Sequence, residues 1–130
     1  MNFVIVGSFR EEDFGSAIIS LFPELREDIQ EWTGLVTLQM MELRLFAEKQ
    51  AAAGNTLILN TCVQLLQRAL TEGDAQLKNA VYVSFLEHVN RSEEVGKRIY
   101  DALTPELREG WKEVNGYLDT LLNRIPPSHD

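Results

Sequence analysis

Few residues in this chain are equipped for proton transfer or nucleophilic attack. Its 130 residues include two histidines, His88 and His129, and one cysteine, Cys62. His88 follows Ser84 by four positions, a spacing that sets both side chains on one face of a helix, as a nucleophile and its base would require. The surroundings argue against that role. No strand-to-helix elbow presents Ser84, and no glycine-rich loop stands ready to stabilise an oxyanion. A histidine at the end of a helix also has a simpler reason to be there, because its positive form is favoured by the helix C-terminus. Cys62 lies in an apolar stretch and is expected to be a small buried hydrophobe rather than a nucleophile. No enzymatic activity is expected.

The sites that need several residues at fixed spacing are also missing. A single cysteine excludes a disulfide framework and a cysteine-rich zinc site, and it is compatible with a reducing compartment. There is no His-x-x-x-His or Glu-x-x-His pair to hold a metal inside a bundle. The eight glycines are scattered and make no phosphate-binding loop. No metal and no cofactor are expected. Nucleic-acid binding needs clustered basic residues, and the best group, Arg91 with Lys97-Arg98, is interrupted by Glu93 and Glu94. No nucleic-acid partner is expected.

Charge is the uneven feature. The chain carries −8, yet residues 1–33 alone carry −5, from seven acids against two arginines. Four of those acids, Glu24, Glu27, Asp28 and Glu31, follow Pro23 at the spacing of one helix face. Like charges so placed repel by a few tenths of a kcal/mol per pair. They form either a solvated face or a docking surface for a basic protein steered in by the field.

The elements that must position these residues read as helices. Apolar residues recur at intervals of three and four. Phe14, Ile18 and Leu21 mark a first short helix. Pro23 opens the next, in which Leu25, Ile29 and Trp32 turn inward, and Gly34 stops it. From Leu35 to Ala53, the rows Val36, Met40, Leu43, Ala47 and Leu38, Met41, Leu45 are apolar over two faces. That marks the central helix, with Gln39 among the residues expected in water. Gly54-Asn55 ends it. Thr56 to Glu72 repeats the design, with Ile58, Cys62, Leu65 and Ala69 beside Leu59, Val63, Leu66 and Leu70. Asp74 caps a helix over Ala75 to Val89, Asn90 and Ser92 mark a turn and a new cap, and Thr104-Pro105-Glu106 starts the last helix. There Leu107, Trp111, Val114, Leu118, Leu121 and Ile125 form a heptad stripe. Leu43, Leu66, Phe85 and Trp111 are expected in one core. The predicted fold is all-α, a single compact bundle of six or seven helices with short connections. Residues 1–13 are an arm or short strand, 14–125 the bundle and 126–130 a tail. Met1 to Val6 lacks the basic and long apolar regions of a signal peptide, and no stretch is suited to span a membrane, so a cytoplasmic protein is expected.

Through Asn79-Ala80-Val81-Tyr82-Val83-Ser84-Phe85-Leu86-Glu87-His88-Val89 and the segment from Leu103 to Trp111, the chain resembles a family of small all-α bacterial proteins of uncharacterised function. The resemblance covers residues 35–125 and brings no catalytic residues with it. Small acidic all-α bacterial proteins include toxin-neutralising immunity proteins. The expected function is therefore non-catalytic protein binding, with Glu24, Glu27, Asp28 and Glu31 as the surface that meets a basic partner. The alternative is a small regulatory or structural subunit that forms a homo-oligomer through an apolar helix face.

Overall fold

A computed structural model describes residues 7–124, with side chains described for residues 7–116. Seven α-helices follow in order: α1 Glu11–Leu21, α2 Arg26–Glu31, α3 Val36–Ala53, α4 Thr56–Glu72, α5 Ala75–Ala80, α6 Glu94–Ala102 and α7 Pro105–Arg124. The architecture is an all-α bundle. Among the described residues no helix is long and apolar enough to cross a membrane. The segment Phe3 to Val6, His129 and the tail lie outside the described residues, as do the side chains of Leu118, Leu121 and Ile125.

Helix α3 is the axis of the bundle and packs against α1, α4, α5 and α6. Its inward row Val36, Met40, Leu43 and Ala47 is buried, as are Cys62, Leu65, Leu66 and Ala69 of α4. These residues join Phe14, Ile18, Phe85 and Leu107 in one continuous core. Both glycine stops hold, since Gly34 and Gly54 adopt positive φ of 79° and 75°, a conformation glycine reaches without a Cβ penalty. Thr104 caps α7 by accepting the Leu107 N–H at 3.1 Å.

Helix α1 begins at Glu11, earlier than its own apolar pattern indicates, because the cap comes from elsewhere in the chain. Asp74 Oδ2 accepts the Glu11 N–H at 2.8 Å, while its Oδ1 accepts the Leu77 N–H at 2.9 Å and caps α5. Just before α1, Phe9 forms an isolated parallel bridge with Gly73, and the Arg68 guanidinium lies 4.0 Å over the Phe9 ring.

Four expectations need correction. The segment from Ala75 is not one continuous α-helix: α5 passes into a π turn at Val81–Phe85 and a 3₁₀ turn at Leu86–His88. The apolar spacing explains this. Leu77, Val81, Phe85 and Val89 are all buried at strict intervals of four. In a regular α-helix that interval drifts by about 40° per step, so Val89 would leave the core. The wider π turn absorbs the drift, and the Ser84 carbonyl accepts the Arg44 Nε at 3.1 Å. Gln39, assigned to water, is only 6% exposed. It lies against Gly15 of α1, donates from Nε2 to the Trp32 carbonyl at 3.0 Å, and has no partner for Oε1. Ser92 does not cap α6. Its N–H and hydroxyl both go to Asn90 Oδ1, closing a turn whose carbonyl sits where a Cβ on Gly96 would fall, 1.9 Å away. Trp111 is half-buried and packs against the core rather than at its centre, and its indole N–H donates to the Val89 carbonyl at 2.8 Å.

The outer members of the apolar rows also differ from expectation. Leu21, Leu45 and Ile58 are exposed, and Leu38, Met41 and Leu70 are half-buried. For Leu45 the cause is length. Helix α2 has six residues and α3 eighteen, or about 9 Å against about 27 Å at 1.5 Å per residue. The short helix cannot cover the long one, and part of the α3 surface is left open.

Candidate functional site: an amphipathic groove along α3

The uncovered stripe of α3 is the floor of a groove of about 690 Å³. Glu42, Leu45, Phe46, Lys49 and Ala52 contribute to it from α3. One wall is Leu25 and Asp28 from the α2 region. The other is the corner His88, Val89 and Asn90 with Glu93, Val95, Gly96 and Ile99. The π and 3₁₀ turns set that second wall by ending the α5 segment beside α3. The floor is apolar because a buried row of α3 continues into it through Phe46, which packs on Phe22 with ring centroids 4.7 Å apart.

The rim is acidic. Asp28, Glu42, Glu48 and Glu93 face Arg44, Lys49 and His88. Arg44 is engaged within the fold, bound to Glu48 at 2.9 Å and to the Ser84 carbonyl. Glu42 is oriented by the Trp32 indole N–H, which donates to its Oε1 at 3.1 Å. Asp28 and Lys49 make no ion pair or side-chain hydrogen bond among the described residues.

The four carboxylates singled out in the sequence do not all reach this site. Glu24, Glu27, Asp28 and Glu31 are all exposed, opposite Leu25 and Ile29, which are buried, and Trp32, which is half-buried. None of the four forms an ion pair or side-chain hydrogen bond among the described residues. Only Asp28 lines the groove; the other three extend the negative surface beyond its edge. The sequence reading missed Glu42, Glu48 and Glu93, which come from two other elements and share no local pattern with Asp28. No local pattern in the sequence points to them: Leu45, between Glu42 and Glu48, reads as inward and proves exposed only in the fold.

His88 is exposed at the corner of the groove, and no hydrogen bond joins it to Ser84. The π turn breaks the spacing that would have set the two side chains on one face. Cys62 is fully buried, and burial pushes its thiol pKa up to about 12. That keeps the sulfur protonated and unreactive at neutral pH. Among the described residues no group of three or more His, Cys, Asp or Glu could hold a metal ion.

The architecture and the groove define a class: a small helical bundle with an amphipathic, acid-rimmed trough on its surface. The chain belongs to a family whose shared unit is a domain of unknown function, DUF7674, matched over residues 16–119. The match takes in α2 and its acids, and so reaches further toward the N-terminus than the resemblance over 35–125. No curated protein and no solved structure matches the chain.

Proposed function

We propose that the chain is a non-catalytic protein-binding module, an immunity-type inhibitor of a bacterial cytoplasm that neutralises a basic partner protein through its acidic face. The observation that carries this reading is the state of Glu24, Glu27, Asp28 and Glu31, which are exposed together and lack any cationic partner among the described residues. A like-charge surface of this kind is mildly unfavourable alone and becomes favourable when a basic surface meets it. The rim acids of the adjacent groove extend the same field.

The experiment is kinetic. Basic proteins encoded by neighbouring genes are purified as candidate partners, and association is followed at about 50 mM and about 500 mM salt. Replacing Glu24, Glu27 and Glu31 with Gln is expected to slow association more than it speeds dissociation and to flatten the salt dependence, because rim charges act on the encounter. Unchanged rates and unchanged salt dependence in the triple variant would overturn the proposal.

A second reading, self-association through an apolar helix face, is favoured by Leu57 and Ile58 on the first turn of α4, which are 83% and 38% exposed. It is tested by sedimentation of the wild type and Leu57→Ser. A dimer that survives high salt and is lost in the variant supports it, and a monomer at all concentrations sinks it.

A further inference from the structure

We propose that the groove along α3 seats an amphipathic helix of the basic partner, with apolar anchors on Leu45, Phe46 and Val95 and flanking Lys or Arg residues against Asp28 and Glu93. This rests on the protein-binding reading and names what is bound.

Length, chemistry and charge each narrow the occupant. The lining runs from Glu42 to Ala52, which at 1.5 Å per residue is about 15 Å, or nearly three helical turns. An amphipathic helix presents anchors at i, i+3, i+4 and i+7 over that distance. A peptide bound by β-strand addition would need a free sheet edge to pair with, and the described residues contain only the single bridge at Phe9 and Gly73. The apolar floor includes Leu45 at 43% exposure, an uncovered leucine in a concave surface rather than on a convex one. The rim carries Asp28, Glu42, Glu48 and Glu93 against Arg44, Lys49 and His88; Arg44 and Glu48 pair with each other, which leaves three carboxylates facing Lys49 and His88. A cationic segment is thus attracted, while a second copy of a chain at −8 is repelled. The groove is also prepared before binding. Two indole N–H groups brace it, Trp32 through Glu42 on α3 and Trp111 through the Val89 carbonyl in the second wall, which lowers the cost of ordering these groups on association.

The test uses the full chain and fluorescent synthetic helices of about 14 residues. One has Leu at the anchor positions and Lys elsewhere, one has the same composition scrambled, and one has Glu in place of Lys. The patterned Lys peptide is expected to bind about tenfold more tightly than the scrambled peptide, and the Glu peptide not to bind. Leu45→Ser, a change at a surface residue, is expected to weaken the patterned peptide by about tenfold at every salt concentration and to leave the salt slope intact. Circular dichroism and thermal melting establish that this variant is folded. Amide chemical shifts should move around Leu45, Ala52 and Val95. Equal binding of the scrambled peptide, an unaffected Leu45→Ser variant, or shifts concentrated at Leu57 would each overturn the groove while leaving the acidic docking surface standing. A Glu peptide that binds as well as the Lys peptide would overturn both.

Discussion

The carboxylate of Asp74 accepts the backbone N–H of Glu11, a residue 63 positions earlier, at 2.8 Å. Its other oxygen caps α5 through Leu77. One side chain therefore satisfies free N–H groups at the start of two helices that are distant in sequence.

Replacing Asp74 with Ala removes both caps. With each cap worth about 0.5–2 kcal/mol, the expected loss is about 1–4 kcal/mol. Asp74→Asn keeps one acceptor oxygen and should recover part of the loss. Urea denaturation of the three proteins measures this. A loss under about 0.5 kcal/mol for the alanine variant would show that neither cap contributes.

Gln39 leads to a stabilising substitution. Its Oε1 is buried without a partner, and the Trp32 carbonyl that its Nε2 reaches already accepts the Leu35 N–H at 2.9 Å. Methionine has a similar shape and no unpaired acceptor. Gln39→Met is expected to gain about 1 kcal/mol, since an unsatisfied buried polar group costs about 1–3 kcal/mol. A clear drop in melting temperature would show that the hydrogen bond to Trp32 outweighs the orphaned oxygen.

Cys62 predicts an alkaline loss of stability. Its thiol is raised from about 9 to about 12 by burial. Above pH 9 the unfolded chain releases this proton while the folded chain keeps it, so stability is fully present below that pH and falls as the pH rises toward 12. The slope approaches about 1.4 kcal/mol per pH unit at most. Tyr82, also raised by burial and then by the Glu113 charge, adds a fall in the same direction above pH 10. Urea melts between pH 8 and pH 10 should show the decline in the wild type and a flatter profile in Cys62→Ala. Equal slopes would remove the thiol as the cause. The folded protein should also leave a thiol reagent unreacted at pH 8.

The residues that were legible in the sequence are those whose fate depends on their own helix. Val36, Met40, Leu43 and Ala47 are buried on period alone, Gly54 ends α3 with a positive φ, and Thr104 caps α7. What escaped depends on neighbours. Gln39 is polar by type, and it is buried because Gly15 lets α1 come close. Leu45 has an inward pattern, and it is exposed because α2 is too short to reach over it. Asp28 was visible as one of a run of acids, whereas Glu42, Glu48 and Glu93 become its neighbours only once α3 and the turn before α6 are packed. The π turn was partly legible: strict intervals of four from Leu77 to Val89 do not fit an α-helix.

That turn also has a meaning in the reading frame of the gene. A π turn holds one residue more than an α-turn in the same length of helix. Deleting a single codon between Val81 and Phe85 would turn the spacing of the buried row Leu77, Val81, Phe85 and Val89 from four, four, four into the four, three, four of a regular α-helix, so α5 would run on with the residues after the deletion still facing the core. His88, Val89 and Asn90 would keep their places beside Leu45 and Phe46. The extra residue is thus absorbed as a bulge, and the open trough is expected to survive its loss as it survives its presence.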